Sequence, residues 1–165
     1  MKNLVFSTFG TPIEVLAIQE SVSVTLPEGT ARVDVLRAPI DPSDVATIEG
    51  RYGDLPDLPA TPGLEGIGRV REVNGEGIEP GSLVLLPGGK TWSTEVVCAI
   101  ETLLPLPEAD VDQLAMLTVN PATAYLMLRD YVDLQPGDWI IQSAANSAVG
   151  RSEEHTSELQ SPDHL

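Results

Sequence analysis

The stretch 133–150, DLQPGDWIIQSAANSAVG, constrains the fold more than any other part of this 165-residue chain. Its QPGD segment is typical of a turn, and Trp139-Ile140-Ile141 is an apolar run of the length of one buried strand. The small residues at 144–150 allow close backbone approach, and Asn146 or Ser147 is suited to cap a helix. Strand, tight turn and helix start together predict an α/β domain that can hold a phosphate group at a helix N-terminus.

Composition excludes several classes of protein. The net charge of −16 disfavours nucleic acid and anionic membrane as partners. No apolar run approaches the ~20 residues of a membrane span, and the start, MKNLVFSTFG, does not have the pattern of a signal peptide. A single cysteine, Cys98, excludes an internal disulfide and indicates a reducing compartment, so we expect a cytoplasmic protein. Cys98 lies in an apolar strand pattern, and we expect it to be buried and unreactive.

The last segment, 151–165, does not continue the pattern before it. In RSEEHTSELQSPDHL only Leu159 and Leu165 are apolar, whereas a helix that packs on a sheet needs an apolar stripe. The segment also resembles the in-frame translation of a common sequencing adapter, and we interpret it as a non-native tail. The alternative is a genuine hydrophilic tail.

Removing the tail restricts the available chemistry. Both histidines, His155 and His164, lie in it, so residues 1–150 contain no histidine and one cysteine. A zinc site of the usual ligand type, a Ser-His-Asp triad and a Cys-His pair are all excluded from this portion. Proton chemistry there must use carboxylates, lysine or tyrosine.

Residues 1–107 have the pattern of a mainly β domain. Turn residues separate the predicted strands, and a proline-rich loop at 50–62 follows a short helix at 42–49 with Asp41 as its N-cap. Gly66 and Gly68 lie inside a strand pattern and indicate a bulge or a close approach rather than a nucleotide motif. The predicted strands are 3–9, 13–20, 31–38, 65–73, 82–86, 91–99 and 103–105.

The period changes after Pro107. Helices are expected at 111–117, capped by Asp110, and at 120–132, and a strand follows at 139–142. We therefore predict a β-barrel-like domain at 1–107. The start of an α/β cofactor-binding domain is predicted at 108–150, and the tail at 151–165.

Five motifs carry a family resemblance: IDPSD at 40–44, EGRYG at 49–53 with LPDLP at 55–59, GKTWSTE at 89–95, VNPATAY at 119–125, and the stretch 134–150. With them the chain resembles the medium-chain dehydrogenase/reductase superfamily, and within it the mitochondrial-type 2-enoyl thioester reductases. The resemblance implies a GroES-like barrel followed by a Rossmann domain, with the site in the cleft between them. It also implies NADPH as cofactor and a homodimeric parent protein. Zinc-dependent members carry a cysteine near Ser43 and a histidine in place of Leu64; this chain has neither, so it is similar to the zinc-free branch.

The resemblance assigns roles to six residues. Tyr52 matches the family's proton donor; the alternative is a tyrosine that packs on its own loop. Asn120 matches a residue that contacts the cofactor near the nicotinamide, and it is also suited to cap a helix. Asn146, Ser147, Ala148 and Val149 match the pyrophosphate turn. Ala148 stands where relatives commonly have glycine, which would strain a position of positive φ. Tyr125 and Tyr131 are expected to be packing residues.

The function implied is NADPH-dependent reduction of the C=C bond of a 2-enoyl thioester on acyl carrier protein or coenzyme A. A quinone or 2-alkenal reductase on the same scaffold is the alternative enzyme. An alternative of another class is a non-catalytic fragment, because the later strands and the ribose-reading residues of a Rossmann domain do not follow the turn. We expect the 165-residue chain itself to show no turnover and weak or no NADPH binding.

Overall fold

A computed structural model describes residues 1–22, 25–135 and 137–153. Contacts divide the chain into two compact units, Met1–Ala115 and Met116–Leu165. The division between the units lies after Ala115, whereas the sequence predicts a boundary after Pro107. The helix predicted at 111–117 begins within the first unit, where Leu114 and Ala115 pack against the sheet. Of the predicted tail, residues 151–153 are helical and residues 154–165 lie outside the described part of the chain.

A five-stranded antiparallel sheet forms the centre of the first unit. The strands are β3 (Thr30–Arg37), β4 (Ile67–Asn74), β5 (Leu83–Leu85), β6 (Glu95–Ala99) and β7 (Leu104–Pro105), and a 3₁₀ turn, Ile100–Thr102, connects the last two. Their order in the sheet is β6-β3-β4-β5-β7, so β3, β4 and β5 are each paired on both sides. The predicted mainly β fold class is therefore confirmed.

Strand β3 shows why the sheet forms here. Ala31 and Val33 are fully buried, as their alternation with polar residues predicts. They pack with inward-facing residues of the neighbouring strands and of the segment after β6, and this cluster is the core of the unit: Ala31, Val33, Val70, Val84, Leu86 and Leu103. A second buried cluster, Ile67, Leu83, Leu114 and Ala115, covers the other part of the sheet.

Gly68 in β4 and Gly66 just before it allow two backbones to approach closely. A Cβ on Gly68 would lie 2.4 Å from Val33 Cγ1, and one on Gly66 would lie 2.8 Å from the Arg37 carbonyl oxygen. The pairing of β3 with β4 shifts register twice, between Arg32 and Val33 and between Val35 and Arg37. The structural interpretation of this Gly-x-Gly pair is confirmed.

The first twenty residues differ from their predicted pattern. Strand β1 (Lys2–Val5) pairs with β2 (Ala17–Glu20), but residues Pro12–Val15 form one helical turn, α1, instead of the start of a long strand. The physical reason is that Thr11 and Pro12 provide a helix start: Pro12 has no N–H to lose at the first position, and the Thr11 carbonyl accepts from Glu14 and Val15.

Two short helices of the first unit form where the sequence predicts them. Helix α2 (Pro42–Ile48) begins after Asp41, with proline at its first position. Helix α3 (Val111–Leu114) begins after Asp110, whose side chain accepts from the Asp112 and Gln113 N–H groups at 2.9 and 3.3 Å. The Asp110 cap satisfies N–H groups that lack an intrahelical acceptor.

The second unit is helical where it is described. Helix α4 (Asn120–Asp130) buries Ala124 and Leu128 on one face, as predicted, but it ends before Val132, which is exposed. The predicted packing role of Tyr131 is wrong, since 82% of its surface is exposed, and Tyr125 lies at the surface against Arg129.

The predicted strand 139–142 is not formed. These residues have no strand assignment, and Trp139 is 95% exposed. A strand of a parallel sheet needs neighbours for its hydrogen bonds, and the described part of this unit contains none. The preceding turn does form: the Asp138 N–H donates to the Gln135 carbonyl, although Pro136 itself lies outside the described residues.

A separate finding concerns membranes. Among residues 1–22, 25–135 and 137–153, no helix has both the length and the apolar character needed to cross a bilayer.

Candidate active site

The loop that carries Tyr52 is fixed by the end of helix α2. Gly50 adopts φ = +75°, and the N–H groups of Gly50 and Arg51 donate to the Thr47 and Ala46 carbonyls, which is a Schellman motif. A Cβ at Gly50 would meet the Phe9 ring at 3.1 Å as well as strain the backbone. The chain therefore leaves the helix in one direction, and Tyr52 follows two residues later.

Tyr52 lines a cavity of about 240 Å³ and is 52% exposed. The ring thus forms part of the wall while the residue remains open to solvent. The cavity's other walls include Phe6, Asp44, Thr47 and Leu64. A small, mostly apolar cavity with one phenol and two carboxylates, those of Asp44 and Asp54, in its lining is suited to proton transfer in a partly dehydrated space.

Asp44 connects helix α2 to Leu64, which also lines this cavity. Its carboxylate accepts from the Asp41 N–H and from the Leu64 N–H, each at 2.9 Å, and the residue is buried. Burial raises the pKa of Asp44; these backbone N–H groups oppose the increase, and the nearby Asp41 carboxylate adds to it. The structural role of Asp44 is to fix the segment 63–65 through its bond from the Leu64 N–H.

Asp41 and Glu65 form a second acidic contact beneath the loop. Burial raises the pKa of Asp41, and a side-chain hydrogen bond with Glu65 lowers it in part. Glu65 is fully buried.

The segment 89–94 is held against the segment 63–65 and Pro39 by side-chain hydrogen bonds. The Thr91 hydroxyl donates to the Glu65 carbonyl at 2.7 Å, and Trp92 Nε1 donates to the Pro39 carbonyl at 3.1 Å. Gly63 makes this packing possible, because at φ = +108° a Cβ would lie 2.2 Å from Thr91 Oγ1. Gly89 contributes directly to the lining of the Tyr52 cavity.

Asn120 lies in the second unit. It is the first residue of α4, and the N-cap position is Val119, so the predicted capping role of Asn120 is wrong. The helix begins one residue earlier because the Val119 carbonyl accepts from the Thr123 N–H. The Asn120 side chain is half-buried, and it makes no hydrogen bond with the described residues, which leaves its amide available to a ligand.

The turn before residue 150 forms a capped helix start. Residues 148–153 are helical, and the Ser147 hydroxyl accepts from the Gly150 N–H at 3.0 Å. The predicted cap is therefore confirmed for Ser147, while Asn146 accepts from the Arg151 side chain at 2.6 Å. Ala148 and Val149 occupy the first helical turn, where backbone N–H groups have no intrahelical acceptor.

The predicted strain at Ala148 is wrong. Ala148 is helical, and the positive φ of this turn, +54°, belongs to Ala144. Gly150 is the position that requires a glycine, since a Cβ there would lie 2.7 Å from the Ala145 carbonyl oxygen. The helix start thus folds back against its own turn.

Two further features concern metals and thiols. The described residues contain no group of three or more His, Cys, Asp or Glu side chains able to hold a metal ion. Cys98 is half-buried rather than buried, and burial raises the pKa of its thiol. A raised pKa favours the protonated thiol at neutral pH, which agrees with the expected lack of reactivity.

Comparison with known proteins gives these observations a context. Residues 27–106 match the model of the alcohol dehydrogenase GroES-like domain. Over 157 residues the chain is 41% identical to the mitochondrial enoyl-[acyl-carrier-protein] reductase of Homo sapiens, covering 92% of this chain and 42% of that protein. The chain therefore spans less than half the length of this relative.

Solved structures extend the similarity to the fold. A complex of Etr1p with NADP and crotonyl-CoA has a TM-score of 0.85 at 30% identity, over 96% of this chain and 51% of that one. A heterodimer of mitochondrial 2-enoyl thioester reductase from Candida tropicalis gives 0.84 at 31% identity, over 96% and 51%. A protein assigned as an NADPH:quinone reductase from Bacillus thuringiensis gives 0.86 at 32% identity, over 97% and 50%.

The domain match and these structures confirm the resemblance to the medium-chain dehydrogenase/reductase superfamily, a class of oxidoreductases. More narrowly, the curated homologues of this chain are mitochondrial enoyl-[acyl-carrier-protein] reductases, at 41% and 42% identity in Homo sapiens and Rattus norvegicus.

Proposed function

We propose that the protein to which this chain belongs reduces the C=C bond of a 2-enoyl thioester with NADPH, and that Tyr52 donates the proton. The observation that carries the proposal is the placement of Tyr52. It lies on a loop fixed by the Schellman motif at Gly50, and it lines a cavity whose lining also includes Asp44 and Leu64, which a hydrogen bond joins. The homologues supply the substrate class.

The chemistry needs one proton and one hydride. NADPH supplies the hydride to Cβ of the enoyl group when it is bound. Reduction there leaves enolate character at Cα and at the thioester oxygen, and a phenol at this position can transfer its proton or hydrogen-bond to the developing charge.

The residues of the second unit fit the cofactor's groups. The first-turn N–H groups of Ala148 and Val149, beside the Ser147 cap and Asn146, are suited to a pyrophosphate. The half-buried amide of Asn120 is suited to the nicotinamide carboxamide. Zinc has no part in this proposal, and a homodimer is the proposed state of the complete protein.

The test uses the complete protein encoded by the gene, with NADPH oxidation followed against crotonyl-CoA, a quinone and a 2-alkenal. We expect turnover with crotonyl-CoA. Tyr52→Phe should lower kcat about 10²-fold or more, the usual contribution of a general acid. Tyr131→Phe is the matched control, since Tyr131 is exposed and lies outside the cavity. A Tyr52→Phe enzyme with the full rate would remove the proton-donor role.

A second function has its own support. The quinone reductase assigned in Bacillus thuringiensis is as similar in fold as the thioester reductases. Turnover with the quinone and none with crotonyl-CoA would establish that alternative in place of the first. The 165-residue chain alone is expected to be inactive, and thermal stabilisation of it by NADPH would contradict this. The cytoplasmic location stays a prediction, which fractionation of cells that produce the protein would test.

A further inference from the structure

Lys90 lies at the junction of two cavities of the first unit. The Tyr52 cavity adjoins a larger depression of about 910 Å³, and the two share Pro56, Thr61 and Gly89 in their linings. Lys90 follows Gly89 directly, is exposed, and lines the larger depression. A ligand that extends from Tyr52 across the shared wall therefore reaches a region bordered by this ammonium group.

Lys90 differs from the other basic residues of the chain, all of which are described. Six of the others form ion pairs: Lys2, Arg32, Arg37, Arg51, Arg69 and Arg71. Arg129 lies over the Tyr125 ring, and Arg151 donates to Asn146. Lys90 alone makes no ion pair, ring contact or side-chain hydrogen bond with any described residue. In a chain with a net charge of −16, an unpaired cation is unexpected.

The backbone at Lys90 is also unusual. Lys90 has φ = +66°, a left-handed conformation that favours glycine, and only one other described non-glycine residue, Ala144, shares it. A non-glycine residue in this region costs about 1 kcal/mol or more. Thr91 and Trp92 are held by the Glu65 and Pro39 carbonyls, so the surrounding contacts impose the conformation.

We infer that Lys90 binds the 4′-phosphate of the phosphopantetheine arm that carries the substrate. The inference rests on the proposed function, because it uses the thioester as the group that enters the Tyr52 cavity. A phosphopantetheine arm has a thioester at one end and a phosphate at the other, and the two adjoining cavities offer a phenol and an ammonium group in that order. Lysine is a common point-charge ligand of phosphate.

The acidic residues of the larger depression do not prevent this. Glu95 is held by Arg32 and Arg71, at 2.9 and 2.8 Å, so its charge is compensated. Asp57 is exposed and is the remaining carboxylate in the lining. An exposed carboxylate is screened by water and salt, and it leaves Lys90 free to bind an anion.

The experiment measures the affinity of the complete protein for three probes by calorimetry: coenzyme A, 4′-phosphopantetheine and pantetheine, which lacks the phosphate. The variants are Lys90→Gln, which removes the charge at the same backbone position, and Lys90→Arg, which keeps it. Lys2→Gln is the matched control, because Lys2 is exposed, pairs with Glu20 at 3.1 Å and lines neither cavity.

We expect Lys90→Gln to weaken binding of both phosphate-bearing probes about five- to tenfold, the range of one partly exposed charged contact. Lys90→Arg should restore the affinity to within about twofold. The ratio of kcat/KM for crotonyl-CoA to that for crotonyl-N-acetylcysteamine, which lacks the phosphate, should fall by a similar factor in Lys90→Gln.

The remaining outcomes separate this inference from the proposed function. Equal affinities in wild type and Lys90→Gln, an equal loss in Lys2→Gln, or no binding of coenzyme A by the wild type would overturn it. A loss for coenzyme A without a loss for 4′-phosphopantetheine would assign Lys90 to the nucleotide phosphates and overturn the 4′-phosphate. The complete protein could also bind the phosphate-bearing probes through Lys90 and yet reduce no enoyl thioester. That result would reject the proposed function but support the contact between Lys90 and the phosphate.

Discussion

Gly63 and Gly29 share a backbone requirement but differ in what surrounds them. Both have a left-handed φ, +108° and +74°, yet a Cβ at Gly63 would lie 2.2 Å from Thr91 Oγ1, whereas one at Gly29 would have no heavy atom within 4 Å. Gly63→Ala is expected to lower the free energy of unfolding by about 2–5 kcal/mol, and Gly29→Ala by about 1 kcal/mol. Urea denaturation of both variants tests this, and equal losses would show that close packing at Thr91 contributes nothing.

Asp41 and Glu108 should give opposite dependences of stability on pH. Burial raises the pKa of Asp41 above its ordinary value of 3.8, so its contribution to stability is present below that value and is lost as pH rises through the folded-state pKa. Asn is neutral throughout and keeps the N-cap. The stability of Asp41→Asn relative to wild type should therefore increase as the pH rises above about 4.

Glu108→Gln is the comparison. Arg69 lowers the pKa of Glu108 below its ordinary value of 4.5 through a hydrogen bond and its charge, so this contribution is present above 4.5 and is lost as pH falls. The variant should be less stable than wild type at neutral pH, and the difference should disappear in acid. Thermal unfolding from pH 3 to pH 8 measures both, and parallel curves for the two variants would contradict the assignment.

At the scale of single residues, the sequence predicts roles that depend on neighbours along the chain. The Ser147 cap and the Asp41 cap are local, and both are found. The bond from Leu64 to Asp44 and the left-handed φ of Lys90 depend on segments distant in sequence, and the pattern of residues contains no signal for them. The nearest signal was the pair of glycines at 88–89, which marks a turn without showing which residue carries the positive φ.

Strand β3 carries two arginines with very different surroundings. Arg32 is 4% exposed and donates to Glu95, itself 6% exposed, at 2.9 Å, and Arg71 reaches the same carboxylate. Arg37 pairs with Asp112 at the surface. Arg32→Met should cost about 2–4 kcal/mol because it leaves a buried carboxylate short of one partner, and Arg37→Met about 0–1 kcal/mol.

Urea denaturation at pH 7 checks this pair. The control keeps the residue type, the strand and the substitution constant, so that burial is the main variable. A loss of the same size at both positions would mean that Glu95 recovers its missing partner from Arg71 and water. Arg32 and Arg71 join β3, β4 and β6 through Glu95. The m-value should stay unchanged in the variants if the sheet remains folded.

Elements were predictable where their stability is local or where the alternation matched a fully paired strand. Strands β3 and β4 and helices α2 and α3 fall within a few residues of their expected positions. The predicted strand 13–20 was wrong at its start, where Pro12–Val15 form a helical turn. A helical turn that begins at a proline can form within an apolar run, so the run alone does not distinguish it from a strand. The strand predicted at 139–142 was wrong because a strand is stabilised by neighbouring strands, and an apolar run alone cannot supply them.

The whole molecule carries more negative charge than its ion pairs can balance. With nine basic and 25 acidic residues the net charge is −16, and repulsion between the negative charges destabilises the folded state. Raising sodium chloride from about 20 mM to about 500 mM should increase the Tm, because screening acts on exposed charges within a Debye length. Sucrose of equal osmolality is the control, and a Tm that falls with salt would mean that surface ion pairs outweigh the repulsion.

The chain's two tryptophans give each unit its own optical reporter. Trp92 is half-buried and bonds to the Pro39 carbonyl in the first unit, whereas Trp139 is 95% exposed in the second. In a Trp139→Phe variant the emission should shift to longer wavelength when the sheet unfolds, and iodide should quench it weakly beforehand. In Trp92→Phe the emission of the remaining Trp139 should lie at long wavelength, and iodide should quench it readily in the folded protein. A blue shift of Trp139 on adding a ligand or a partner chain would then report directly that residues 139–141 have become buried.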